Sequence, residues 1–130
     1  TDYLLLNEIE AQLLFNKKVI KSNNSIDKKL IQKLSMKVFH KGLQKAIIIH
    51  SPKESLYLSR YKIYHTKSQN VPKQKIKNSV GAGDAFCAGF LYGIHENWDI
   101  QKTLIKSHAA GSAMLKIDAS SGYLPNINKL

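Results

Sequence analysis

Cysteine is nearly absent from this sequence. One cysteine among 130 residues excludes an internal disulfide, so a reducing compartment, the cytoplasm, is expected. That residue, Cys87, stands between Phe86 and Ala88 and is interpreted as a small buried hydrophobe rather than a nucleophile. Long apolar runs are absent as well, and nothing at the start reads as a signal peptide, so the sequence does not predict a membrane partner.

Arginine and acidic residues are scarce. The formal net charge is +11 and the isoelectric point about 9.8, which would attract phosphates, nucleic acid or an anionic membrane surface. Every basic residue except Arg60 is a lysine, whereas recognition of base edges usually relies on the fork of an arginine. The lysines are spread over the whole length among many Asn and Ile residues. This distribution is typical of a general bias in the amino-acid usage of the source and not of a binding surface. Specific nucleic-acid binding is therefore not expected.

Several common catalytic motifs are also missing. There is no Gly-x-x-x-x-Gly-Lys-Ser/Thr loop and no protein-kinase motif set, so two widespread designs of ATP site are excluded. The histidines lack the spacing of a zinc site, and no Cys/His or Ser/His pair offers a hydrolytic nucleophile. With 43% hydrophobic and 22% charged residues, the chain suits one globular unit with a real core.

What the sequence does contain is a loop of small residues, 78–86, that runs into a predicted helix over residues 85–96. The first turn of a helix leaves its N–H groups unpaired and carries a partial positive charge, so this junction can hold an anion. Gly81 and Gly83 leave the backbone uncovered, and Asp84 stands at the mouth of the site. A carboxylate beside an anion hole can take a proton from an attacking hydroxyl. The alternative is that Gly and Asp only start the helix.

Two apolar runs predict a pair of buried strands. Residues 3–6 and 46–49 are each too short for a helix and are typical of strands buried on both faces. A predicted helix, capped by Ser25 and closed by Gly42, lies between them. Strand, helix, strand in this order implies a right-handed crossover and a parallel sheet. Because the chain opens inside a core strand at Thr1, we expect it to be the later part of a longer polypeptide.

The second half of the chain adds a hairpin and a further helix. Residues 55–64 alternate as in a strand or hairpin, with a turn expected at Gln69 and Asn70. Asp99 is a good cap for a helix that runs from residue 100 to residue 115. The centre of that helix is rich in small residues, which close packing against a neighbouring helix would explain.

Asn7 and Glu10 follow the first strand directly. Side chains at the carboxyl end of a parallel strand point into the crevice where such sheets bind ligands, so both residues are placed to reach one. The alternative is that Asn7 caps the next helix and Glu10 is an acid in its first turn.

Taken together, these residues resemble the ribokinase family of carbohydrate kinases, the PfkB group. Its second signature is Asp-Thr-x-Gly-Ala-Gly-Asp before a helix that opens with Ala/Ser/Thr-Phe. The matching residues of this chain are Gly81, Ala82, Gly83, Asp84 and Phe86. The family also carries an Asn-x-x-Glu motif, which Asn7 and Glu10 match. The resemblance implies an α/β, ribokinase-like fold, a parallel-sheet three-layer sandwich. Residues 1–130 would form its C-terminal nucleotide-binding and catalytic portion, without the sugar-binding and lid portion.

The resemblance also implies a reaction, ATP-dependent phosphoryl transfer to a hydroxyl of a sugar or sugar-like substrate. Asp84 would be the base, and the backbone from Gly81 through Ala82 and Gly83 to Asp84 would form the anion hole. A non-catalytic nucleotide-binding or regulatory domain of the same fold is the alternative. The retained Asp84 argues against that alternative, whereas the missing acceptor portion argues for it.

Two cations are considered in the light of the resemblance. Magnesium would be held largely through phosphates and water, steadied by Glu10 and Asn7. Relatives bind a monovalent cation with help from the Asp that opens the signature, but this chain has Asn78 there. Losing that carboxylate removes a charge that would favour potassium, so potassium activation is not expected.

The nucleotide neighbours implied by the resemblance lie in two further segments. His108 occupies the position that lines the adenine pocket in relatives, and Ser112 lies one helical turn later. Ser51 and Glu54 align with the two glycines of a Thr-x-Gly-x-x-Gly loop near the nucleotide, although neither is glycine. The expected small-molecule partners are therefore ATP and a sugar or sugar-like compound. A homodimer would form through N-terminal parts outside this sequence.

Overall fold

A computed structural model describes residues 1–68, 81–115 and 127–130 of the chain. The chain divides into two compact units, Thr1–Thr66 and Lys67–Leu130. Within the described residues, no helix is both long and apolar enough to cross a membrane.

The first unit is a sheet with two helices. In chain order its elements are β1 (Tyr3–Asn7), α1 (Glu8–Phe15), α2 (Lys28–His40), β2 (Ala46–His50), β3 (Glu54–Leu58) and β4 (Ile63–Lys67). The strands lie in the order β1-β2-β3-β4. The predicted parallel pairing of the first two strands is confirmed, with Tyr3 opposite Ala46 and Asn7 opposite His50. β3 runs antiparallel to β2, so the sheet is mixed rather than wholly parallel.

The sheet is mixed because tight turns follow β2 and β3, and a tight turn reverses the direction of the chain. Between β2 and β3, the N–H of Ser51 donates to the carbonyl of Glu54 at 2.8 Å. Between β3 and β4, the N–H of Ser59 donates to the carbonyl of Lys62 at 2.9 Å. A hairpin over residues 55–64 was one of the two predicted forms, and the described turn lies within that range. The expected turn at Gln69 and Asn70 falls outside the described residues.

The core of the first unit fills the space between the sheet and its helices. Ile47 and Ile49 of β2 are fully buried, as the apolar run predicts. Further members of this core come from other elements and loops: Ala11, Val19, Ile26, Ile31, Phe39, Leu43, Leu56 and Leu58.

The start of α2 differs from the prediction. Asp27, not Ser25, is its cap, because the Asp27 carboxylate accepts the N–H of Leu30 at 3.2 Å. Ser25 is occupied elsewhere, since its hydroxyl donates to the side chain of Asn23 at 2.6 Å. Ile26 pairs with Ile20 in an isolated bridge, which holds the chain extended until the helix can begin. Gly42 follows the end of the helix with a φ of 120°, as a terminating glycine should.

The second unit is built on two helices, α3 (Ala82–His95) and α4 (Ile100–Leu115), with a short 3-10 helix at Ile127–Lys129. α3 begins three residues earlier than predicted, at the first residue after Gly81. The predicted cap of α4 is confirmed, because the Asp99 carboxylate accepts the N–H of Lys102 at 2.8 Å.

Small residues bring α3 and α4 together, as the composition of α4 predicts. Gly93 of α3 lies so close to Thr103 of α4 that an added Cβ would come within 2.6 Å of the threonine methyl. Gly89 lies against the backbone of Ser107 in the same way, at 3.1 Å. Close packing of this kind fixes the two helices relative to each other.

Candidate functional site

The first turn of α3 is the candidate anion hole. Gly81 is the N-cap residue, with φ 89° and ψ −6°, and it has no side chain that could cap the helix. The first intrahelical bond runs from the N–H of Ala85 to the carbonyl of Gly81, at 2.9 Å. The N–H groups of Ala82, Gly83 and Asp84 come before that bond, where a helix has no carbonyl of its own to offer. This turn therefore presents three donors and the positive end of the helix dipole.

Asp84 lies in this first turn and is exposed to solvent. Its carboxylate is therefore not used to build the core. Residues of α4 support the turn from the side, since a Cβ on Gly111 would lie 3.2 Å from the carbonyl of Ala82. Met114 lies against Gly81, where an added Cβ would meet its Cε at 3.0 Å. The turn thus combines a firm backbone with an accessible carboxylate, as a proton acceptor beside an anion hole requires.

His108 and Ser112 lie on the buried side of α4, with 5% and 6% of their surface exposed. The His108 ring meets Phe86 of α3 edge to face, with ring centroids 5.0 Å apart. His108 is therefore largely buried, and the Phe86 ring of α3 covers part of its surface.

In the first unit, Asn7 and Glu10 stand together at the carboxyl end of β1. Asn7 is the cap of α1, and its side-chain oxygen accepts the N–H of Glu10 at 2.7 Å. Asn7 therefore has the capping role that the sequence offers as the alternative to ligand binding. The Glu10 carboxylate is exposed in the first turn of α1, which leaves it available to a ligand.

Ser51 and Glu54 close the β2–β3 turn. The Ser51 hydroxyl accepts the N–H groups of Lys53 and Glu54, at 3.3 and 3.2 Å. The Glu54 side chain is buried, and its two oxygens have separate partners: Nε2 of His65 at 2.9 Å and the N–H of Ile26 at 3.3 Å. Both aligned positions therefore stabilise the first unit.

His50 is a strand-end residue to which the sequence interpretation gave no role. It ends β2, where it pairs with Asn7 of β1 and with Ser55 of β3. Burial lowers the pKa of His50 from 6.5 to about 4, so the imidazole is neutral at pH 7. His50 directly follows the apolar run at residues 46–49, and that position is the sequence signal that could have identified it.

The described residues contain no group of three or more His, Cys, Asp or Glu side chains arranged to hold a metal ion. Magnesium usually keeps several waters and takes one or two protein carboxylates together with phosphates. Glu10, exposed beside the Asn7 cap, fits that limited role and does not form a protein cage. Asn78 and the loop at 117–125, the positions considered for a monovalent cation, fall outside the described residues.

Comparison with known proteins decides the family. The model of the PfkB family carbohydrate kinases matches residues 1–125 of the chain. The chain belongs to this family. The match covers both motifs from which the resemblance was inferred, the Asn-x-x-Glu pair after β1 and the Gly-Ala-Gly-Asp turn before α3.

Curated members of the PfkB family show how much of a protein the chain represents. It is 26% identical to adenosine kinase of Schizosaccharomyces pombe over 124 residues, which is 95% of this chain and 36% of that protein. It is 38% identical to 5-dehydro-2-deoxygluconokinase of Lacticaseibacillus casei over 58 residues, 45% of this chain and 18% of that protein. The chain thus spans about a third or less of the length of these relatives.

Solved structures show the same fold. The ribokinase of Thermotoga maritima aligns with a TM-score of 0.74 at 21% identity, over 98% of this chain and 40% of that one. The ribokinase-like α/β fold that the resemblance implied is confirmed.

Proposed function

We propose that the protein containing this chain transfers the γ-phosphoryl group of ATP to a hydroxyl of a sugar or sugar-like substrate. The observation that carries the proposal is the first turn of α3, where an exposed carboxylate, Asp84, lies among the N–H groups that begin the helix. Phosphoryl transfer depends on positioning and charge neutralisation more than on covalent chemistry, and this turn supplies both. Membership of a family of kinases makes the reaction class the natural one.

In the proposed mechanism, a carboxylate oxygen of Asp84 accepts the proton of the acceptor hydroxyl. The hydroxyl oxygen forms its bond to the γ-phosphorus as the bond to the β-phosphate bridge breaks, and ADP leaves with that bridging oxygen. The N–H groups of Ala82, Gly83 and Asp84 donate to oxygens of the migrating group and neutralise its charge. Gly81 lets the chain enter the helix without a side chain over these donors.

Magnesium would neutralise charge on the phosphates. Glu10 is proposed to steady the ion, directly or through water, while Asn7 positions Glu10 by capping α1. Ser51 and Glu54 are not retained as nucleotide ligands, because the Ser51 hydroxyl and the Glu54 carboxylate are used within the first unit. Potassium activation is not expected, since Asn78 lacks the charge that would favour the ion.

His108 and Ser112 are proposed as neighbours of the adenine ring. Because both are largely buried, the base would lie against the edge of His108 and the small residues near it. A homodimer formed through N-terminal parts remains a further proposal.

The experiment is a coupled assay of ADP release with Mg-ATP and a panel of sugars, sugar phosphates and nucleosides. We expect one class of acceptor to raise ADP release by at least about a hundredfold over the rate in water, which is a modest share of what enzymes achieve. A rate that no acceptor raises would remove the proposal.

A second candidate function is a nucleotide-binding or regulatory domain that transfers nothing. The observation in its favour is that Ser51 and Glu54, which align with glycines of the family's loop near the nucleotide, are used in hydrogen bonds within the first unit. Calorimetric titration of Mg-ATP combined with the ADP-release assay separates the two candidates, because the second predicts saturable Mg-ATP binding without acceptor-dependent ADP release. The first predicts both.

A further inference from the structure

The outer side of α2 carries a row of lysines. Lys29, Lys33 and Lys37 are spaced four residues apart, and all three are exposed. Residues at this spacing lie on one side of a helix, about 6 Å apart along its axis. The row therefore presents three positive charges at regular intervals over about 12 Å.

Within the described residues, no acidic side chain forms an ion pair with this row. The sequence has no Asp or Glu between Asp27 and Glu54. Asp27 caps α2, and Glu54 is buried against His65. None of the three lysines makes an ion pair with another residue in the described part of the chain. Like charges at this spacing destabilise a helix, and a bound polyanion would remove that cost.

An exposed aromatic ring stands beside the same helix. Tyr61, at the turn between β3 and β4, is 91% exposed. A groove of about 260 Å³ separates this turn from α2 and is lined by Gln32 and Met36 on the helix side and by Lys62 on the turn side. Arg60 ties the turn to α2, because its guanidinium donates to the carbonyl of Phe39 at 3.2 Å and lies 5.2 Å from the centre of the Phe39 ring. The turn that carries Tyr61 is thus tied to α2, while the ring itself stays open to solvent beside the groove.

We propose that this surface binds single-stranded nucleic acid without regard to base sequence. The surface, named here the α2 basic face, consists of Lys29, Lys33, Lys37, Tyr61 and Lys62. The lysines contact phosphates, and the Tyr61 ring stacks on a base. The 6 Å interval of the lysines along the α2 axis is close to twice the axial rise of about 3.4 Å per phosphate of a stacked strand.

The chemistry of the face favours a nucleic acid over other polyanions. An acidic peptide would satisfy the lysines but would offer no base for Tyr61 to stack on. A membrane surface would need several apolar residues to insert, and Met36 is the one large apolar residue that α2 exposes, whereas Ile31, Leu34 and Phe39 are buried in the core. Sequence independence follows because the single arginine is engaged with Phe39 and lysine does not form a bidentate fork. This inference does not depend on the kinase activity.

The test measures fluorescence anisotropy of a labelled oligothymidylate of about 20 nucleotides over a salt series. The variant K29Q/K33Q/K37Q is compared with K17Q/K18Q/K21Q, which makes the same change in net charge at exposed loop residues. We expect the first variant to lower the slope of log affinity against log salt by about 2, since each phosphate contact contributes about 0.7 for a single strand. The control should change it by less than half as much. Equal changes in both variants would overturn the proposal.

Two further measurements address the partner and the stacking. Tyr61→Ala should weaken binding about tenfold while Tyr61→Phe stays near wild type, since stacking on an aromatic ring is worth about 1–3 kcal/mol per base. A Tyr61→Ala variant that binds like wild type would overturn the stacking role. Polyglutamate of equal charge should compete poorly with the oligonucleotide. Equal competition would assign the face to acidic proteins and overturn the proposal.

Discussion

The carboxylate of Glu54 joins three parts of the first unit. Glu54 lies at the end of the β2–β3 turn. One oxygen of its carboxylate accepts the N–H of Ile26, and the other contacts Nε2 of His65 in β4. We expect Glu54→Ala to lower the free energy of unfolding by about 1–3 kcal/mol, because it leaves a buried N–H and the imidazole without their acceptor. Urea unfolding of the variant measures this. Glu96→Ala, at an exposed helix end, is the control and should change stability by less than about 0.5 kcal/mol.

The buried imidazole of His50 makes stability depend on pH. Its folded-state pKa, about 4, lies below the ordinary 6.5, so the unfolded chain takes up this proton more readily than the folded chain. The contribution of neutral His50 to the free energy of unfolding is complete above pH 6.5. It is lost as pH falls from 6.5 towards 4, at up to about 1.4 kcal/mol per pH unit. His50→Gln should flatten the stability profile in that window. His40→Gln, at an exposed position, should leave it steep; a profile unchanged by His50→Gln would contradict the assignment.

Single residues differ in how far the sequence reveals them. Asp84 could be singled out because its neighbours in the chain, Gly81 and Gly83, show its setting. Glu54 could not, since its partners Ile26 and His65 lie 28 and 11 residues away in sequence. The sequence placed Glu54 near the nucleotide by alignment with a glycine, whereas the fold uses its carboxylate as a buried acceptor.

Among the elements, the contact between α3 and α4 depends on glycine. An added Cβ on Gly93 would lie 2.6 Å from Cγ2 and 2.7 Å from Oγ1 of Thr103, well inside contact distance. We expect Gly93→Ala to destabilise the protein by about 1–3 kcal/mol, although alanine favours a helix by about 1 kcal/mol over glycine. Thermal unfolding measures the change.

The control for this prediction is the double variant Gly93→Ala/Thr103→Ala, which removes both clashing atoms. A double-mutant cycle should then show a favourable coupling between the two substitutions of at least about 0.5 kcal/mol. Additive effects would mean that the helices move apart without cost and would contradict the close-packing account.

Element types were easier to predict than element boundaries. The apolar runs of β1 and β2 and the cap at Asp99 are local signals, and both runs form strands; β2 is buried as predicted, whereas β1 is half-buried rather than buried on both faces. α2 starts at Lys28, later than predicted, because a bridge between Ile20 and Ile26 holds the chain extended. A short stretch of sequence does not reveal such a bridge, since it depends on contacts with other parts of the fold. The antiparallel β3 follows from the tight Ser51–Glu54 turn, which cannot make a crossover.

On the scale of the whole molecule, the family could be predicted from two short motifs, and the family model extends the match over residues 1–125. The net charge of +11 could be read from composition, but its arrangement could not. Lysines that are scattered along the sequence form an ordered row on α2 because helical geometry brings every fourth residue to one side. The sequence alone did not suggest that surface.

The measurement that tests the central claim most directly is phosphoryl transfer by Asp84→Asn, made in the protein that contains this chain. Asparagine keeps the shape of the side chain but cannot accept the hydroxyl proton, so turnover should fall by about a hundredfold or more. The affinity for Mg-ATP, measured by titration calorimetry, should stay nearly unchanged. An Asp84→Asn enzyme that turns over at close to the wild-type rate would contradict the account.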